Sequence, residues 1–323
     1  MTIVLDVEDL AVRYPAGGWL RPLRPKDRRT VEILAGIDLE LEAGHTLGVI
    51  GESGSGKTTL ARAIVGLAPI ARGAVRVGGM KASGWGDGPW RFIRRQVGFM
   101  FQDPLASLDP RMSVAQLVTE PFAIHHSQGI DRKREAARLL DLVGLTARFL
   151  DRYPHQLSGG QARRVSVARA LALKPKLVIA DEPTAGLDLS IQGDVLNLMA
   201  DLQAELGLSY LLITHNLAVA RHVCDRIAVM YLGRVVEQGP TAALYHRPAH
   251  PYTRALVQAG DDRPGAARFV LRGETPGLQP RPAGCEFHAR CPMAAPRCSA
   301  EAPARRAVAP GHLVTCHFPL GAA

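Results

Sequence analysis

The stretch "GESGSGKT" (51–58) fits G-x-x-x-x-G-K-[ST] at every fixed position. Glycines at this spacing let backbone N–H groups wrap a phosphate. The lysine brings positive charge to the β- and γ-phosphates, and the last hydroxyl suits Mg²⁺. The candidate cradle is therefore Gly51, Ser53, Gly54, Ser55, Gly56, Lys57, Thr58 and Thr59. A second stretch, "LVIADE" (177–182), is an apolar run that ends in two carboxylates. Asp181 at the strand tip suits the Mg²⁺ shell, and Glu182 can reach an attacking water as general base. Buried strands often end in an acid for structural reasons alone. Behind a phosphate loop, the pair points to hydrolysis of a nucleoside triphosphate.

A third stretch, "LSGGQ" (157–161), puts two glycines at the start of a helix, where free N–H groups and the positive dipole end attract anions. One nucleotide does not need two phosphate cradles in one chain. The arrangement implies a dimer in which Ser158, Gly159, Gly160 and Gln161 cover the phosphate held by the other subunit.

Short apolar strands alternate with longer helical patterns, so the fold class is α/β with a P-loop NTPase core. "HTLGVIG" (45–51) is a strand opening into the phosphate loop, and "KTTLARAIVGL" (57–67) is the helix after it. "IVLDVEDLAVRY" (3–14), "VEILAGIDLELEAG" (31–44), "KLVIAD" (176–181), "SYLLITH" (209–215) and "DRIAVMYLGRVVEQG" (225–239) read as strands. A helix over 190–207 separates "KLVIAD" from "SYLLITH". "GGMKASGWGDGPW" (78–90) reads as a loop, and residues from about 91 to 165 read as mostly helical. Beyond about 240, proline and arginine become frequent and periodicity fades. The expected division is an ATPase domain over 1–240 and a C-terminal extension over 241–323.

Of 323 residues, 47% are hydrophobic, which supports a packed core. The net charge of +9 would suit nucleic acid or an anionic membrane face. No zinc finger, RNA-binding aromatic motif or helix-turn-helix pattern supports nucleic acid. The densest basic run, "RPLRPKDRR" (21–29), reads as a solvated loop. No apolar stretch is long enough to span a membrane, and the N-terminus does not read as a secretion signal, so a cytoplasmic location is expected.

Taken together, these motifs resemble the ATPase subunits of ABC transporters over essentially the whole chain. "QDPLASLDPRMSV" (102–114), "RYPHQLSGGQ" (152–161), "VMYLGRVVEQG" (229–239) and "HRPAHPYTRAL" (246–256) are similar to the oligopeptide, dipeptide and nickel uptake branch. The resemblance implies an ABC-type ATPase domain with a RecA-like core and a helical subdomain. Further roles follow from it: Tyr14 stacking on adenine, Gln102 touching Mg²⁺ and signalling to the membrane subunit, Asp188 tuning the dimer interface, and His215 holding the γ-phosphate. The implied assembly has two membrane permease subunits, a second ATPase subunit and an extracytoplasmic binding protein, with this chain on the cytoplasmic face of the membrane. ATP-driven uptake of di- or oligopeptides is the leading expectation. Uptake of nickel or another small solute, or service in a non-transport complex such as phosphonate breakdown, are the alternatives. Asn216, Ala162 and "TAGLD" (184–188) depart from the branch's usual residues.

Four of the five cysteines fall in the spacing Cys285-x5-Cys291-x6-Cys298-x17-Cys316. In the cytoplasm, clustered thiols suggest a metal site more than disulfides. Structural zinc sites usually show a Cys-x2–4-Cys knuckle, which is missing here. Thiolates on longer loops can hold an iron–sulfur cluster. The peptide-uptake ATPases have a matching tail, which in some of them holds a [4Fe–4S] cluster. The expectation is a cluster on these four residues, with zinc or no metal as alternatives. His288, His312 and His317 read as ordinary polar loop residues, with substitute ligands as the alternative, and Cys224 reads as a small buried residue.

Overall fold

The computed structural model describes residues 2–15, 30–84, 86, 88–259, 271 and 273–321. The basic run 21–29 lies outside them. In chain order, β1 (Ile3–Pro15), β2 (Thr30–Glu42) and β3 (Thr46–Ile50) precede α1 (Lys57–Ile64). Then come β4 (Ile70–Val77), β5 (Met80–Ala82), α2 (Gly88–Gln96) and β6 (Val97–Met100). Next are α3 (Val114–Ile124), α4 (Arg132–Leu142) and α5 (Gly159–Leu171), followed by β7 (Leu177–Asp181), α6 (Leu189–Leu206) and β8 (Ser209–Thr214). The last elements are α7 (Leu217–Val223), β9 (Arg226–Tyr231), β10 (Arg234–Pro240), α8 (Thr241–His246), α9 (Pro251–Ala259), α10 (Pro296–Ala300), β11 (Arg305–Ala309) and β12 (His312–Thr315).

Two sheets form. One is antiparallel, in the order β2-β1-β4-β5; the other runs β11-β12-β10-β9-β3-β8-β7-β6. The second is parallel from β9 to β6. Its central strands β3, β7 and β8 are buried along their whole length, as expected for a sheet covered on both faces. Alternate side chains serve opposite cores. Leu177 and Ile179 of β7 pack with α1 and the antiparallel sheet, while Val178 and Ala180 pack with the helical layer. The carboxyl ends of β3, β7 and β8 therefore meet at one edge, where ligands of open parallel sheets bind.

Two sequence expectations change. The loop over 78–90 contains β5 and the start of α2, because Trp90 and Ile93 bury their side chains at 2% and 0% exposure. The weakly periodic tail supplies β11 and β12, and β12 pairs with β10 through Glu237 to Val314 and Gln238 to Leu313. Buried Glu237 accepts the Ala249 and His250 N–H groups and lies 2.7 Å from His312 Nε2, so its charge is fully partnered. Phe287 of the tail packs edge-on against Tyr231 and beside Tyr252. Among the described residues no helix is long and apolar enough to cross a membrane.

Candidate nucleotide site

Fully buried β3 delivers the chain to Gly51 at the sheet edge. A Cβ there would meet the Met230 carbonyl oxygen at 2.2 Å, so only glycine allows this turn. Gly56 precedes α1 at φ +99°, in the left-handed region, and no side chain caps the helix. The first N–H groups of α1 are thereby left for a ligand. Lys57, 7% exposed, donates from Nζ to the carbonyls of Gly51 (2.7 Å) and Glu52 (2.9 Å). Burial lowers its pKa, opposed by the charges of Glu182, Asp181 and Glu52.

β7 ends on buried Asp181, whose carboxyl burial pushes above its ordinary range against a hydrogen bond from Thr58. Thr58 Oγ1 lies 3.5 Å from Asp181 Oδ1. These oxygens are hard donors of the kind Mg²⁺ takes, so the residues present fit that ion. Glu182 follows with φ +49°, a conformation that costs a non-glycine residue energy and is concentrated at functional sites. Its Oε1 accepts the His215 N–H (3.1 Å) and lies 2.8 Å from His215 Nδ1. Its Oε2 accepts the Thr214 hydroxyl at 3.4 Å. The phosphate loop, Gln102, Glu182 and His215 line one cavity of about 720 Å³, together with Ile33, Leu256 and Leu278. A phosphate loop, an acid that can orient water and an open space between them form a site for in-line hydrolysis.

The ABC transporter family model matches residues 34–185, and the model of the oligopeptide/dipeptide transporter C-terminal region matches residues 236–298. The oligopeptide transport ATP-binding protein OppF of Escherichia coli (strain K12) is 43% identical over 314 residues, covering 93% of this chain and 92% of its own. The chain belongs to the ABC transporter ATPases. The di/tripeptide transport ATP-binding protein DppF of Pseudomonas aeruginosa (strain UCBPP-PA14) is 43% identical to this ATPase, over 98% of each chain. Among solved structures, the dimeric ATP-binding cassette MJ0796 in a post-hydrolysis state bound to ADP and Pi matches with a TM-score of 0.64 and 28% identity. That match covers 73% of this ATPase and 98% of MJ0796.

Several expected site residues of the ATPase stand apart from the cavity. Ser158 caps α5, its Oγ accepting the Gln161 N–H at 3.3 Å while its own N–H donates to Gln161 Oε1 at 3.0 Å. Ser158 and Gly159 are exposed, and none of Ser158, Gly159, Gly160 or Gln161 lines the cavity. Asp188 precedes α6 without a side-chain cap and is exposed. Tyr14 is half-buried and packs against the core of the antiparallel sheet, and it is not among the residues that line the cavity.

Two of the three departures from the branch pattern have local explanations. Asn216 caps α7 by accepting from the Ala218 and Val219 N–H groups. Ala162 is fully buried, which suits a small side chain. Sequence reasoning missed Arg163, which is buried yet donates to the carbonyls of Phe101 (2.7 Å) and Gln102 (2.8 Å). It ties the helix after the Ser158 loop to the Gln102 segment. Arginine is rarely buried, so nothing in "GGQARR" marks it.

The tail's four cysteines border one small cavity of about 10 Å³. The backbone amides of Phe287, Met293 and Phe318 lower the thiol pKa values of Cys285, Cys291 and Cys316, against the rise that burial causes. All four cysteines are free thiols. Burial pushes the Cys285 thiol up to about 12 and the Cys316 thiol to about 11. The expected metal centre is not supported as a formed site. Among the described residues no group of three or more His, Cys, Asp or Glu is placed to hold a metal ion.

Proposed function

We propose that this ATPase powers a membrane importer for di- and oligopeptides. The observation that carries the reading is the meeting of Lys57, Thr58, Gln102, Glu182 and His215 at one cavity above a helix N-terminus. In the proposed cycle ATP seats its phosphates on the loop, with Lys57 against the β- and γ-phosphates. Thr58, Asp181 and Gln102 would hold Mg²⁺, which when bound neutralises phosphate charge. Glu182 orients the attacking water, and His215, hydrogen-bonded to Glu182, contacts the γ-phosphate. Ser158, Gly159, Gly160 and Gln161 of a second ATPase subunit, identical or related, close over that phosphate. Asp188 belongs to the same dimer face, and Tyr14 borders the adenine.

Loss of phosphate removes the charge that holds the halves together, and the opening is passed to two permease subunits. A groove of about 260 Å³ supports the membrane contact. It is lined by Phe101, next to Gln102, and by Ile124, which are 42% and 60% exposed. The chain would then sit peripherally on the cytoplasmic face, served by an extracytoplasmic binding protein. Peptides are favoured as cargo because the curated relatives are named for oligopeptide and di/tripeptide transport and the tail matches that branch.

A pull-down of the tagged chain from detergent-solubilised native membranes tests the reading. Two polytopic subunits should co-purify. Recovery only with soluble enzymes or ribosomes would leave the ATPase standing and remove the importer.

For the tail we propose an iron–sulfur cluster on Cys285, Cys291, Cys298 and Cys316. The small cavity that all four cysteines border supports it. When bound, such a cluster cross-links the loops. Chain purified without oxygen should carry about four iron atoms and absorb broadly near ~400 nm. Zinc in its place, or neither metal, would sink the cluster.

A further inference from the structure

The second residue of the phosphate loop, Glu52, is held by the C-terminal extension from several sides. Arg290 lies in the loop between Cys285 and Cys291, 8% exposed. It makes a forked pair with the Glu52 carboxylate, Nη1 to Oε2 at 2.7 Å and Nη2 to Oε1 at 3.1 Å. Thr275 donates its hydroxyl to Oε2 at 2.6 Å and accepts from Arg290 Nη1 at 3.1 Å. The Glu52 N–H donates to the hydroxyl of fully buried Tyr252, from the His-Pro-Tyr segment, at 2.9 Å. The Glu52 carbonyl accepts from Lys57 Nζ and from the Ser55 N–H. Every polar group of Glu52 is thus engaged: the carboxylate and N–H by the tail, the carbonyl by the loop and its lysine.

This is a specific place for an ion pair. A staple between a tail and a sheet could attach anywhere on the sheet edge. Here the fork grips a residue between Gly51 and Ser53, inside the loop that must match a polyphosphate, and Leu256 and Leu278 of the extension line the same cavity. A bidentate, partly buried pair imposes direction as well as attraction. Removing one partner leaves the other charge without its counterpart.

We propose that Arg290 is a positioning residue for the phosphate loop: acting through Glu52, it presets the loop for nucleotide, so that the C-terminal extension is a working part of the ATP site. The inference rests on the ATP site and is independent of which solute is imported.

The test uses the full-length chain, a fluorescent ATP analogue and steady-state hydrolysis, on Arg290→Met, Arg290→Lys, Glu52→Gln and the Arg290→Met/Glu52→Gln pair. Each of Arg290→Met and Glu52→Gln should weaken nucleotide binding about tenfold. The double variant should be no more than about twofold worse than either, since both remove one interaction. The loss should fall on KM for ATP more than on kcat. Arg290→Lys, which keeps the charge without the fork, should recover part of the affinity, a response that a purely structural tail contact would not give. Melting temperature and circular dichroism report folding; if Arg290→Met does not fold, Glu52→Gln and Arg290→Lys carry the same comparison. Binding within about twofold of wild type in folded single variants, or losses that multiply in the double, would overturn the inference. A wild-type chain that bound no nucleotide would instead overturn the ATP-site reading beneath it.

Discussion

The helices α1 and α5 both begin at glycine-bearing loops read as phosphate sites, yet their N-termini are finished differently. Before α1 stands Gly56 in a left-handed conformation with no side chain over the helix end. Before α5 stands Ser158, whose hydroxyl takes a helix N–H and whose own N–H is returned to Gln161 in a capping box. The first end opens on the cavity with Lys57, Glu182 and His215. The second lies away from it and is exposed. The contrast teaches that two glycine-bearing helix starts in one chain can be finished differently, one left open on a cavity and the other closed by its own cap. The capped glycine loop satisfies its own helix end and leaves Ser158 and Gly159 exposed. That is what a loop needs if it is to serve a phosphate held elsewhere.

The comparison is easiest to break at Glu182. Glu182→Gln keeps the side chain's shape but cannot take a proton, so single-turnover hydrolysis should fall about 10²- to 10⁴-fold while ATP binding persists. Hydrolysis within tenfold of wild type would place the general base elsewhere. Next comes Gly159→Asp. A Cβ at Gly159 has only Leu187 nearby, at 3.9 Å, and an acid suits a helix start, so the chain should fold normally. Against a partner's phosphate the same charge is repulsive. Steady-state hydrolysis should drop roughly a hundredfold, with binding of the fluorescent nucleotide by the isolated chain within about twofold of wild type. Equal damage to both would mean that the two loops serve one chain.

Smaller effects sharpen the picture. Ser158→Ala removes the cap and should cost about 1 kcal/mol in denaturant unfolding. A third helix start gives the control: Asn216 caps α7 through its side-chain oxygen, a role aspartate fills equally well. Asn216→Asp should therefore change stability by no more than a few tenths of a kcal/mol, and a change above about 1 kcal/mol would assign the amide a further role.

Legibility followed the range of the interactions. The phosphate loop, the strand ending in Asp181 and Glu182, and the helix over 190–207 could be read locally, because glycine spacing and apolar runs act within a few residues. β4 escaped notice: "IARGAVRV" mixes arginine and glycine into a strand that exists by pairing with β1. β11 and β12 were missed for the same reason, their partners being each other and β10. The thiol cluster needed the fold as well, since spacing along the chain groups Cys285, Cys291, Cys298 and Cys316 but only tertiary packing brings them to one cavity. Arg163 and Arg290 carried no local sign of burial, because arginine is ordinarily a surface residue.

By itself, the sequence determined which residues are available for chemistry: a glycine-rich loop with Lys57 and Thr58, two carboxylates at a strand end and a second glycine loop. Tertiary structure alone decided the distances. It brought Glu182 within hydrogen-bonding reach of His215, kept Ser158 out of the cavity and carried Arg290 across 238 residues to Glu52. The reason is physical. Residue type and near spacing set which bonds a segment can make, whereas contacts between distant segments follow from strand order and core packing, which arise only when the whole chain closes.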